Sequence, residues 1–284
     1  MANIVWIASY PKSGNTWLRA FIVNAVQGGE HPVSLEAITQ FFESEADPKY
    51  YQRFLATPVV DAPFETLISL RPKVQQEILQ SRSAGSVLMK THNQLTELHE
   101  TPLHDLKSTA AAIVVIRNPL DVVLSVADHF ALSIDQAIHF MANPNTGTAT
   151  DDQGVAGFLG SWSHHVESWT HANHERFLVI RYEDMLDKPL PTFAKVAAHL
   201  NVTLDRVALK KAVAHSSFQQ LKRREQSDGF AERSEHSSRF FREGRKNQWI
   251  ERLSDDQVQR MVDAHYAQMM AFGYVPPKFQ KKKG

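Results

Sequence analysis

The chain has 284 residues, 43% of them hydrophobic, enough to bury a large core in one α/β domain. Its 31 basic and 31 acidic residues cancel, so no overall field draws it to nucleic acid or to an anionic membrane, and any anion site must be local. The absence of cysteine excludes disulfides, thiolate metal sites and thiol nucleophiles.

Four short runs rich in β-branched residues, at 4–8, 87–90, 111–117 and 177–182, are almost continuously apolar, as strands buried on both faces of a parallel sheet are. Helix-like stretches follow the first, third and fourth, at 16–26, 119–130 and 191–200. This alternation predicts a central parallel sheet flanked by helices, in a single domain over 1–284. Two more helices are expected at 205–215 and 255–271, with the charged stretch 222–246 as an ordered loop or lid. The Pro/Gly/Thr/Asp-rich stretch 143–160 reads as a mobile loop and the lysines of 278–284 as a frayed tail. The first apolar run is too short for a signal peptide, and no run is long enough to span a membrane, so a cytoplasmic protein is expected.

The first run leads into Ser9-Tyr10-Pro11-Lys12-Ser13-Gly14-Asn15-Thr16-Trp17 and then a helix. A strand, a tight polar loop and a helix N-terminus present free backbone N–H groups and the positive end of a helix dipole to an anion. Gly14 allows close backbone approach, while Lys12, Ser13 and Thr16 add a charge and two hydroxyls. A Walker A loop would need two glycines with the lysine after the second, and here the lysine precedes the single glycine. A P-loop kinase remains the alternative on the same topology, but it expects an Asp for magnesium at the end of a later strand. The third run ends instead in Arg117, a residue for a second anionic group. Asn118 and Pro119 then cap a helix that carries Ser125.

Taken together these segments resemble the cytosolic-type sulfotransferase family and, within it, a bacterial member. Tyr10-Pro11-Lys12-Ser13-Gly14-Asn15-Thr16-Trp17 resembles the family's 5′-phosphosulfate loop, with Asn15 where a Thr is common. Arg117 through Ser125 resembles its 3′-phosphate segment. Arg181-Tyr182-Glu183-Asp184 resembles a strand-end segment, and Phe240-Phe241-Arg242-Glu243-Gly244 with Trp249 its C-terminal nucleotide segment. The resemblance implies a P-loop-like nucleotide core. It also implies transfer of a sulfuryl group from 3′-phosphoadenosine 5′-phosphosulfate (PAPS) to an acceptor hydroxyl, leaving 3′,5′-bisphosphoadenosine (PAP), with no metal required.

By the same resemblance Lys12 stabilises the leaving phosphate, and Ser13, Gly14, Asn15, Thr16 and Trp17 hold the 5′ end. Arg117, Ser125, Arg242 and Gly244 bind the 3′-phosphate, and Trp17, Tyr182 and Phe218 line the adenine pocket. The second strand leads into Lys90-Thr91-His92, which makes His92 the general base, with Lys90 on the sulfuryl oxygens. Glu243, Asn247 and Gln248 depart from the family pattern, and Arg245 and Lys246 are expected to supply the missing charge. The family's dimerisation motif is not recognisable, which leaves oligomeric state open. A nucleotide-binding protein without catalysis is a third reading.

His164-His165 and the pair His171 and His174 read as solvated helix faces, and Trp162 with Trp169 as a packing stripe. Asp121, Glu183 and Asp184 read as structural carboxylates. Loops expected at 41–64 and 131–158 would set the acceptor; their aromatic residues, Phe41, Phe42, Tyr50, Tyr51, Phe54, Phe140 and Phe158, with the adjoining Phe130, predict an apolar or aromatic pocket for a small hydroxylated acceptor.

Overall fold

A computed structural model describes residues 2–82, 85–171, 175–234 and 236–281. In chain order the elements are β1 (Asn3–Ser9), α1 (Asn15–Gln27), α2 (Leu35–Phe41), β2 (Glu43–Ser44), α3 (Pro48–Tyr51), α4 (Phe64–Gln80) and β3 (Ser86–Thr91). There follow a small hairpin of β4 (Glu97–Leu98) and β5 (Thr101–Pro102), then β6 (Thr109–Ile116), α5 (Pro119–His129), α6 (Ile134–Ala142), α7 (Trp162–Thr170) and β7 (Phe177–Arg181). The chain continues through α8 (Tyr182–Asp187), α9 (Pro189–His199), α10 (Arg206–His215), α11 (Phe218–Asp228), α12 (Trp249–Arg252) and α13 (Asp255–Ala271). Among the described residues no helix is long and apolar enough to cross a membrane.

The main sheet is parallel throughout, in the order β2-β3-β1-β6-β7. Its strands are apolar at successive positions because both faces are covered. Ile4, Trp6 and Ala8 of β1, with Ala112, Val114 and Ile116 of β6, pack against Val74 and Ile78 of α4, Val122 and Val126 of α5, and Met261 of α13. Ile7, Ile113 and Val115 face the other way, onto Leu18, Phe21 and Ile22 of α1 and Phe193 and Val196 of α9. The chain leaves β1 toward β3 on one side and later adds β6 on the other, so strand order reverses at β1. The crevice beyond its carboxyl end is where an open α/β sheet binds ligands.

The structure departs from expectation where composition misleads. The segment 41–64 is folded rather than looped: Phe42, Tyr50 and Tyr51 are buried, and Tyr51 donates to the Glu45 carbonyl oxygen at 3.0 Å. The stretch 143–160 lacks regular structure but is pinned, not loose. Gln94 N–H donates to Phe158 O at 2.8 Å, Phe158 N–H donates to Asn93 Oδ1 at 2.7 Å, and Val155, Ala156 and Leu159 are buried. The first part of the charged stretch 222–246 is helical, in α11, and only the remainder is irregular. The expected frayed tail is docked as far as residue 281, where Lys278 pairs with Asp255 and Lys281 N–H donates to the Tyr266 hydroxyl at 3.0 Å. Residues 282–284 lie outside the described residues. Trp162 and Trp169 are packed in the core as expected.

Candidate active site

The loop after β1 takes two left-handed turns of the backbone, at Lys12 (φ 67°) and Gly14 (φ 103°). Gly14 is required twice over, because a Cβ there would also lie 2.7 Å from Tyr182 Cδ2. The Asn15 side chain turns back to the strand, donating to Ile7 O at 3.0 Å and Ser9 Oγ at 3.3 Å, and so fixes the loop. No side chain caps the start of α1, which leaves its first N–H groups and its dipole directed at the crevice.

Above this loop lies a cavity of about 640 Å³. Lys12, Gly14, Asn15, Thr16, Trp17, Lys90, His92, Arg117, Ser125, Tyr182, Phe218, Arg242 and Gly244 all line it, while Ser13 is buried in the loop beneath. Arg117 donates through Nη1 to the Lys12 carbonyl oxygen at 3.0 Å and rests on the Tyr182 ring at 4.4 Å. Arg242 pairs with Asp128 at 3.2 Å and reaches Ser125 Oγ at 3.5 Å, which makes a second polar corner. Gly244 (φ 63°) lies so close to Phe218 that a Cβ would meet the ring at 2.2 Å. The aromatic walls are therefore Phe218 beside Gly244, and Trp17 edge-on to Tyr182 at 5.6 Å.

Polar atoms at this place lack partners. Ser13 Oγ, Trp17 Nε1 and Arg117 Nε are buried and unbonded among the described residues. Buried donors of this kind are costly unless something pairs with them, and an anionic nucleotide fits that need. Burial first, and the Arg242 charge second, push the Lys12 ammonium down to about 8.

His92 Nδ1 lies 2.8 Å from Ser9 O, at the start of the same loop. A carbonyl oxygen only accepts, so in the neutral ring Nδ1 carries the proton and Nε2 keeps its lone pair. Burial, then the Lys90 charge, pushes the ring down to about 3, so it is neutral at ordinary pH. The residues on either side of His92 are held by a buried network. Asn93 Nδ2 donates to Glu45 Oε1 at 2.6 Å, Thr91 Oγ1 lies 3.0 Å from His104 Nε2, and Arg71 closes a buried ion pair with Glu45.

Several sequence expectations are corrected here. Arg245 pairs with Glu243 at 2.6 Å and Glu251 at 3.0 Å, Lys246 pairs with Asp187, and neither lines the cavity, so they do not replace the missing charge. Of the aromatic residues expected around an acceptor, only Phe130 and Phe140 line the cavity. His165 is not solvated: it is 1% exposed, with its ring edge-on to Tyr10. His164 and His171 are exposed as expected, and His174 lies outside the described residues.

Two of the three carboxylates read as structural, Asp121 and Glu183, hold donors from elsewhere in the chain. Asp121 accepts from Asn247 N–H at 2.7 Å and Trp249 N–H at 3.1 Å, and Glu183 accepts from Asn118 N–H at 3.0 Å and the Tyr274 hydroxyl at 2.7 Å. Sequence reasoning missed Glu45, Glu232 and His129 in the cavity wall. Only tertiary contact brings them there, and no local spacing marks them.

A family model described as "Sulfotransferase domain" matches residues 3–273. Rat sulfotransferase 1A1 is 26% identical over 279 residues, covering 93% of this chain and 83% of its own length. Mouse sulfotransferase 1 family member D1 is 27% identical, covering 92% of this chain and 84% of its own. Among solved structures, mouse sulfotransferase SULT7A1 complexed with PAP shares the fold at TM-score 0.60 and 18% identity, with 94% of this chain and 84% of that one covered. Retinol dehydratase in a complex with retinol and PAP does so at TM-score 0.64 and 18% identity, with 94% and 81% covered.

Proposed function

The chain belongs to the sulfotransferase family, and from that premise we propose that it transfers the sulfuryl group of PAPS to a hydroxyl of a small apolar acceptor, with His92 as general base. The observation that carries this reading is the convergence on one cavity of Lys12, Lys90 and His92 with Arg117, which meets the Lys12 carbonyl oxygen, and with the corner formed by Ser125 and Arg242. A nucleotide with anionic groups at both its 5′ and 3′ ends matches two such anchors. PAP, which accompanies the mouse SULT7A1 structure, is a nucleotide of that kind.

When bound, PAPS supplies the sulfuryl group and departs as PAP. Lys12 and the bare N-terminus of α1 stabilise the charge that grows on the departing phosphate. Arg117, Ser125 and Arg242 hold the 3′-phosphate, while Trp17, Tyr182 and Phe218 enclose the adenine and Gly244 makes room for the ring. His92 receives the acceptor's proton at Nε2, because Nδ1 is committed to Ser9 O. The acceptor lies against Phe130, Phe140, Val155 and Leu159, which give one side of the cavity an apolar surface. β6 ends at Ile116 and is followed by Arg117, where a kinase would place a carboxylate for magnesium, so nothing at that strand end favours the kinase reading.

Replacing His92 by Ala lowers turnover by about 10²–10⁴-fold while PAP still binds. Replacing Lys12 by Met lowers both turnover and affinity. Full activity in either variant would overturn the assigned roles.

A further inference from the structure

An ion cluster that the roles above leave unexplained joins Thr16, Lys90 and Glu232 of the cavity wall to Arg19, which does not itself line the cavity. Arg19, one turn into α1, is 2% exposed. Its Nη2 lies 2.8 Å from Oε1 and 2.7 Å from Oε2 of Glu232. Lys90 Nζ reaches the same Oε1 at 3.0 Å, and Thr16 Oγ1 donates to Oε2 at 3.4 Å while accepting from Arg19 Nη2 at 3.2 Å. Glu232 belongs to the irregular segment that follows α11, whereas its three partners sit on β3 and the first two turns of α1. Arg19 Nε, also buried, has no partner among the described residues.

A buried guanidinium and a partly buried ammonium are not stable side by side without an anion between them, so some anion must occupy this position. A guanidinium, an ammonium and a hydroxyl directed at one point form the donor set for a tetrahedral oxyanion, and a carboxylate fills only part of it. Lys90 and Thr16 are also residues that the family resemblance assigns to the phosphosulfate. Glu232 and the phosphosulfate would therefore compete for the same donors.

Resting on that functional reading, we propose that Arg19 joins Lys90 and Thr16 as a cradle for the sulfuryl oxygens of PAPS, and that Glu232 fills this cradle in the ligand-free protein and withdraws when PAPS binds. Arg19 is then a binding residue for the transferred group. The affinity for PAPS is lowered by the work of displacing Glu232.

Calorimetric titration of PAPS, PAP and adenosine 3′-phosphate into the wild type, Glu232→Gln and Arg19→Lys tests this. Glu232→Gln binds PAPS about tenfold more tightly, Arg19→Lys binds it about tenfold more weakly, and adenosine 3′-phosphate binds all three proteins alike. PAP shifts less than PAPS, because it lacks the sulfuryl oxygens. Glu232→Gln binding PAPS no more tightly than wild type would overturn the proposal, and so would PAP shifting as far as PAPS. Should Arg19→Lys fail to fold, Glu232→Gln alone decides. Failure of the wild type to bind adenosine 3′-phosphate would be a separate result that removes the nucleotide reading, and this proposal with it.

Discussion

Gly244→Ala isolates the packing that shapes the adenine pocket. Gly244 and Gly28 share a φ of 63°, but a Cβ on Gly28 meets nothing within 4 Å, whereas on Gly244 it meets Phe218 Cγ, Cδ2 and Cδ1 at 2.2, 2.4 and 2.5 Å. Gly28→Ala therefore reports the left-handed backbone strain alone, about 1–2 kcal/mol. Gly244→Ala carries the same strain and also expels the Phe218 ring, which otherwise lies 6.0 Å from the ring of Phe241. Overpacking of this kind costs about 1–3 kcal/mol.

Both variants lose stability in urea melts, Gly244→Ala by the larger amount. Only Gly244→Ala loses PAP affinity, by about tenfold or more, because the displaced ring enters the cavity beside Arg242. Calorimetry with PAP makes the comparison. Equal PAP affinity in the two variants would refute the role given to the contact between Gly244 and Phe218.

Asp121→Ala strips the acceptor from two N–H groups, those of Asn247 and Trp249, and costs about 2–5 kcal/mol in urea denaturation; a loss under about 0.5 kcal/mol would contradict this. His165 and His265, each 1% exposed, are pushed to about 3 chiefly by burial. Both are neutral in the fold and charged in the unfolded chain below about pH 6.5, so their stabilisation is complete above that pH and is lost as pH falls toward 3. At pH 5 each has lost about 2 kcal/mol, and thermal melts from pH 7 to 5 show a steep fall in Tm. Lys12, lowered to about 8, loses its charge at alkaline pH. PAP affinity then falls about tenfold between pH 7 and 9, and a flat profile would count against Lys12 as an anion ligand.

How much of this was legible in the sequence depended on how local the signal was. The strands read clearly because both faces of Ile4–Ala8-type runs are covered, and the loop from Lys12 to Trp17 was legible because strand, turn and helix start are contiguous. Helix α11 was not, since its only buried residues are Leu221 and Glu225. Its stability comes from outside the helix: Glu225 accepts from Phe240 and Phe241 N–H, the latter at 2.9 Å. Glu232 was invisible because Lys90 lies 142 positions away. The aromatic residues of 41–64 misled because composition does not say which way a ring turns: Phe42, Tyr50 and Tyr51 turn to the core.

The most direct test of the account is calorimetric titration of PAP against ATP without magnesium. Two separate anion anchors predict micromolar or tighter binding of PAP with ATP much weaker; a preference for ATP would contradict the assignment of Arg117, Ser125 and Arg242 to a 3′-phosphate and return the chain to the kinase reading.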